Sequence, residues 1–268
     1  MNNRGYLRRK LKWEAKRLLS GRWLFCLTML LFWGILWYVT QLYSGGLGPA
    51  LPGLPGDISD PAQVDAYLTA WFAAWRSIEP ARIAGLLLTA ALGFLLRTPL
   101  DVGIAANYLA LSREEQPRLR DSFAFYIGPG QLTRSLLAEL LCLFWRTLYV
   151  LPFFVFSFTS LWIDDPLVGL PLSLLAMALL AWGLVRAGAY AQARYLLAAR
   201  PELGPREIVR LSVRNMRGRL WDYAVFQLSF LPWLVLISVT MLLGALYFMP
   251  YYHMCQALYM RKTWESCQ

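Results

Sequence analysis

Residues 190–233 read YAQARYLLAARPELGPREIVRLSVRNMRGRLWDYAVFQLSFLPW, and the fold turns on this stretch. A hydrophobic helix runs out in a collar of Tyr190, Arg194 and Tyr195, and Pro201 stops it. A short basic helix is expected to open at Gly204-Pro205, because a proline in the first helical turn forfeits no hydrogen bond. Arg206, Arg210, Arg214 and Arg217 recur at intervals of four, four and three, which sets them on one stripe. Val209, Val213, Met216 and Leu220 form an apolar stripe beside it. A helix so divided is expected to lie on a membrane surface with its arginines among anionic headgroups. The same charges also suit a cytoplasmic connector that only fixes topology. A second hydrophobic helix begins near Tyr223.

Composition points the same way. Of 268 residues, 58% are hydrophobic and 16% charged, too apolar for an ordinary soluble domain. Lys and Arg number 26 against 16 Asp and Glu, a net charge of +10. In so apolar a chain that excess is expected in cytoplasmic loops and against anionic lipid, not on nucleic acid. Cys26, Cys142, Cys255 and Cys267 have neither metal-ligand spacing nor the pattern of a disulfide framework. No metalloprotease, nucleophile-elbow or P-loop motif occurs, and His253 has little beside it but Tyr252. The reading is therefore non-enzymatic, with no cofactor and no metal.

Outward from the opening stretch, an all-α, polytopic helical membrane bundle is expected, with five to six transmembrane helices and basic amphipathic interfacial helices. Residues 1–21 form a basic amphipathic helix: Leu7, Leu11, Ala15 and Leu18 share a face, and Lys12 and Lys16 lie on the polar sides. A single membrane domain follows over 22–262, then a tail at 263–268. Its spans are placed at 23–43, 81–111, 133–161, 167–199 and 223–244, with a short apolar segment at 246–260. That segment would return Arg261 and Lys262 to the side of the N-terminus, with Gly244 and Pro250 making the turn. Between the first two spans, Ser59-Asp60-Pro61 starts a helix whose Val64, Leu68, Trp71, Trp75 and Ile78 share a face. Basic residues crowd the N-terminus, 112–134 and 200–219, while Asp164-Asp165 mark an outer turn, so the N-terminus is expected in the cytoplasm. A faint repeat relates Ala106-Asn107-Tyr108-Leu109 to Ala193-Arg194-Tyr195-Leu196.

A resemblance attaches to the same stretch. Tyr190, Ala193, Tyr195, Leu196, Pro201, Ser212, Met216 and Gly218, continued by Phe226, Ser229, Trp233, Pro250 and Tyr251, resemble the pattern of the bacterial family called domain of unknown function 975. The run from Arg8 to Trp23 is similar to that family's start. Val185-Arg186-Ala187-Gly188 departs from the Pro-Gly pair expected before the collar. The resemblance implies a multi-pass protein of the bacterial cytoplasmic membrane and brings no activity.

Charges inside hydrocarbon are costly, so Arg97, Asp101, Glu139, Arg146 and Arg186 form a candidate intramembrane polar site. Arg97 with Asp101, and Glu139 with Arg146, have helical spacings that permit pairing. Pro152 and Pro232 are expected to break or kink spans three and five. A candidate headgroup face comprises Arg206, Arg210, Arg214, Arg217, Lys12 and Lys16. Two functions follow. One is a scaffold or accessory module that binds anionic lipid, a membrane-protein partner or a second copy of itself. The other is a small transporter or channel subunit with an arginine-lined cavity for an anionic ligand.

Overall fold

The computed structural model describes residues 3–49, 52–54, 56, 60–160, 163, 166–240 and 243–265, and every regular element among them is a helix. The helices are α1 (Asn3–Leu19), α2 (Trp23–Gly45), α3 (Pro61–Arg76), α4 (Pro80–Ser112), α5 (Ala124–Ile127), α6 (Gln131–Ser160), α7 (Pro166–Ala187), α8 (Ala193–Ala199), α9 (Pro205–Met216), α10 (Leu220–Leu228), α11 (Leu231–Val239) and α12 (Leu243–Glu265). Short 3-10 turns at Leu119–Phe123 and Gly188–Tyr190 precede α5 and α8. Ser59, Asp164, Asp165 and the side chains of Leu7 and Trp75 lie outside the described residues.

Among the described residues, five stretches are long and apolar enough to cross a membrane: Trp23–Gly45, Pro80–Ser112, Gln131–Ser160, Leu167–Ala199 and Leu220–Val239. They correspond to the five expected spans. Their large apolar side chains, such as Leu87, Leu143 and Leu174, are exposed, as lipid-facing side chains must be.

The chain divides into two units, Met1–Leu31 with Thr98–Gln268, and Phe32–Arg97. In the smaller unit, Asp60 starts α3 as expected, its Oδ1 accepting the Ala62 N–H at 3.0 Å. Arg82 ties the preceding loop down by donating to the carbonyls of Gly46 and Gly48 at 3.0 and 2.9 Å.

In the larger unit the buried residues concentrate on α1, the second half of α4, α8, α9 and α12. Leu11, Ala15, Leu18 and Leu19 of α1 are buried, and α1 packs along α12, where Met254, Cys255, Ala257 and Leu258 are fully covered. The apolar face of α1, expected on the lipid surface, is therefore covered by protein, because α12 offers it a matching apolar surface. The short segment expected at 246–260 is likewise a 23-residue helix, and Pro250 lies inside it rather than at a turn. Helix α11 ends at Val239, and the Thr240 hydroxyl accepts the Gly244 N–H at 2.9 Å.

Two prolines behave differently. Helix α6 runs unbroken through Pro152, over 30 residues. At the fifth span the chain does break, at Ser229-Phe230, so that Pro232 falls in the first turn of α11.

Candidate functional site

Helix α9 has two unlike faces. Ile208, Val209, Ser212, Asn215 and Met216 are buried, and the Ser212 hydroxyl donates to the Ala189 carbonyl at 2.7 Å. Arg206, Arg210, Arg214 and Arg217 are all exposed. The expected apolar stripe needs correction: Val213 is 39% exposed and sits among the arginines, three residues from Arg210 and four from Arg217. Polar Ser212 and Asn215 take its place inside because Ser212 finds a carbonyl there. The one carboxylate of α9, Glu207, is spent at the helix start, accepting the Gly204 N–H at 3.2 Å. Among the described residues, none of the four arginines has a carboxylate within 4.0 Å. Acids elsewhere in this unit are matched instead: Glu14 by Lys262 at 2.7 Å, Glu114 by Arg17 at 3.1 Å, and Glu265 by Arg261 at 3.3 Å.

The second cluster is half-buried. Glu139 Oε1 receives Arg146 Nη1 at 3.2 Å, so the expected pair forms. Arg146 Nη2 also donates to the Tyr190 carbonyl at 3.1 Å, which ties α6 to the 3-10 turn before α8. Arg194 approaches the same carboxylate oxygen at 3.8 Å and lies within electrostatic reach of Asp101. The expected cationic lining needs correction. Arg186 does not join Arg146; it is exposed and lies over the Trp182 ring at 5.4 Å. Arg97 belongs to the other unit and donates Nε to the Gly93 carbonyl of its own helix at 3.0 Å. Arg194 takes the place that sequence reasoning left unfilled. Its signal was the spacing Tyr190-x-x-x-Arg194, which carries the guanidinium one turn beyond a carbonyl already held by Arg146.

A third constellation had not been anticipated. Gln227 Nε2 donates to the Tyr223 hydroxyl at 2.6 Å, and that hydroxyl donates to Gln256 Oε1 at 3.3 Å. Gln256 Nε2 then donates to the Tyr252 hydroxyl at 2.7 Å, which donates to Gln227 Oε1 at 3.1 Å. The sequence carries its mark twice, as Tyr223-x-x-x-Gln227 and Tyr252-x-x-x-Gln256. Nearby, Gly188 leaves room for Tyr223, whose Cδ1 would meet an added Cβ at 3.0 Å.

Of the lysines expected on the headgroup face, Lys12 turns toward protein while Lys16 stays exposed. Lys12 Nζ donates to the Ser229 carbonyl at 3.2 Å, where α10 ends, and sits 4.5 Å from the Phe230 ring centroid. Burial holds its ammonium below the ordinary 10.5. Lys16 lies 5.8 Å from the Tyr251 ring centroid. The residues that carried the family resemblance occupy similar joints. The Pro201 carbonyl accepts Arg134 Nη1 at 2.7 Å, and Gly218 turns the chain with φ +76°. Trp233 stacks on Tyr247 at 5.5 Å, while Tyr190, Tyr195, Met216, Pro250 and Tyr251 are buried. The resemblance therefore marks how the larger unit is held together.

A family model described as "Protein of unknown function (DUF975)" matches residues 1–265. No curated protein and no solved structure matches the chain.

Proposed function

The chain belongs to the DUF975 family, and on that premise we propose that it is a non-enzymatic membrane module whose α9 face binds anionic lipid. One observation carries the reading. Helix α9 is locked in place by its buried face, yet holds Arg206, Arg210, Arg214 and Arg217 in the open with no carboxylate among the described residues within 4.0 Å to neutralise them. A rigid row of bare guanidiniums beside a membrane matches anionic headgroups in charge and in hydrogen-bonding geometry. In this reading the end bearing α1 and α9 faces the cytoplasm of a bacterial cell, consistent with the excess of basic residues there. A transport role centred on Arg146 has less support, since Glu139 and the Tyr190 carbonyl already occupy that guanidinium.

The test is reconstitution of the full chain into nanodiscs made with phosphatidylglycerol or with phosphatidylcholine alone, followed by native mass spectrometry of the lipid retained after release. The wild type is expected to retain phosphatidylglycerol selectively. A variant with all four arginines changed to glutamine is expected to lose that selectivity while its elution and melting stay unchanged. Undiminished selectivity in the folded variant would overturn the reading.

A further inference from the structure

We infer that the corner between α9 and α10 seats one acidic phospholipid, with its phosphate on Arg214 and Arg217, its glycerol against Trp221 and an acyl chain along Val225 and Leu228. The inference rests on the function proposed above and assigns it a particular place. Trp221 is 73% exposed and is the second residue of the apolar stretch Leu220–Val239. An exposed indole at the end of a span belongs at the headgroup level, with its ring toward the chains and its N–H toward water. That level therefore passes through the start of α10.

The arginines are brought to this level by the chain itself. Arg214 and Arg217 lie three apart at the end of α9, close enough for both guanidiniums to reach one phosphate. Arg214, in the last turn, also complements the negative end of the helix dipole, and Arg217 follows as the residue that ends the helix. Gly218, with φ +76°, then separates two neighbours: Arg217 stays outside, while Arg219 turns inward and donates to the Thr263 carbonyl at 3.0 Å. Four residues connect Arg217 to Trp221, so their Cα atoms are at most about 14 Å apart. Arg206 stands about 16 Å farther back along the helix.

The occupant is identified by what continues from the corner. Trp221, Val225 and Leu228 recur at four and three, and are 73%, 44% and 56% exposed. They form an apolar stripe leading down α10 from the guanidiniums. A free phosphate or an acidic peptide would leave that stripe bare, whereas a phospholipid covers both parts. The nearby carboxylate, Asp222, is turned to the Tyr259 hydroxyl at 3.3 Å and to Arg8 at 3.9 Å, which lessens its repulsion of a phosphate.

The experiment compares phosphatidylglycerol retained by the full chain in wild type, R214Q/R217Q, W221L and R206Q/R210Q, using native mass spectrometry and matched melting curves. At about 1 kcal/mol for each arginine, R214Q/R217Q is expected to weaken retention on the order of thirtyfold. W221L should weaken it less, and R206Q/R210Q should also weaken it less than R214Q/R217Q does. Added inorganic phosphate should not displace the retained lipid. Loss in R206Q/R210Q with retention in R214Q/R217Q would overturn the corner but keep the α9 reading. Retention in all three, and in the fourfold arginine variant, would overturn both. If R214Q/R217Q fails to fold, R214K/R217K replaces it: a point charge without the planar fork is expected to give partial loss, and full retention would count against the corner.

Discussion

Gln227 and Gln256 stand on different helices and close a single hydrogen-bonded ring through the hydroxyls of Tyr223 and Tyr252. Each hydroxyl donates once and accepts once, and each amide uses one hydrogen and its oxygen. Within an apolar stretch such as Leu220–Val239, polar groups paired this way add specificity to α10–α12 packing.

Either Gln227→Leu or Gln256→Leu should therefore destabilise the protein by about 1–3 kcal/mol, because partner hydroxyls lose their bonds. The double variant should cost less than the two together, since the ring is lost only once. Unfolding of all four proteins in detergent gives the coupling directly, and additive costs would mean that no ring exists.

Helix α4 crosses the 3-10 turn at Leu119–Phe123 so closely that a Cβ on Gly103 would collide with the Ser122 backbone. Gly103→Ala is expected to cost about 1–3 kcal/mol or more, as overpacking against immovable atoms does. Gly34→Ala, whose Cβ meets nothing within 4 Å, should instead gain about 0.5–1 kcal/mol from the stiffer backbone. Melting curves followed by tryptophan fluorescence would separate the two.

Glu14 and Lys262 join α1 to α12 at 2.7 Å, with Arg261 Nη2 at 4.0 Å from the same carboxylate. A double-mutant cycle of Glu14→Gln and Lys262→Met is expected to show a coupling of about 1 kcal/mol. Both side chains are mostly covered, so salt should reduce this coupling less than it reduces the exposed Arg17–Glu114 pair.

Lys12 gives a pH dependence of definite sign. Burial lowers its folded-state value below 10.5, so between the lowered value and 10.5 the unfolded chain binds more protons than the folded one. Stability from this group is complete above 10.5 and is lost as pH falls through the folded value. The melting temperature of wild type relative to Lys12→Met should rise as pH is raised through that window. A flat difference would show that the ammonium is not held in a desolvated site.

Helical periodicity made the faces of α1 and α9 and the five apolar spans legible, because each is a local pattern along one helix. The Glu139–Arg146 pair was legible for the same reason, its two residues standing two turns apart. What covers a face is not local. Nothing in Leu11, Ala15 and Leu18 distinguishes a lipid surface from α12, and the shift from Val213 to Ser212 depends on a carbonyl at Ala189 that only folding brings near. Helix α12 was read as a short segment because Gln256, His253 and its tyrosines dilute its apolar run. Of these, Gln256 and Tyr252 belong to the ring, and Tyr251 meets Lys16 of α1. Arg194 was read only as part of a collar, since its partner Glu139 lies on another helix.

The joint between Glu14 and Lys262 spans 248 residues of chain. At a ribosome adding about 5–20 residues per second, roughly 10–50 seconds separate the synthesis of the two partners. During that interval α1 has been made and α12 has not, so Leu11, Ala15 and Leu18 have no protein surface to meet. A basic amphipathic helix in that position rests on the membrane surface. The surface-lying α1 that its pattern predicts thus describes the nascent protein, and the buried α1 describes the finished one. The arrival of α12 is then expected to lift α1 off the lipid.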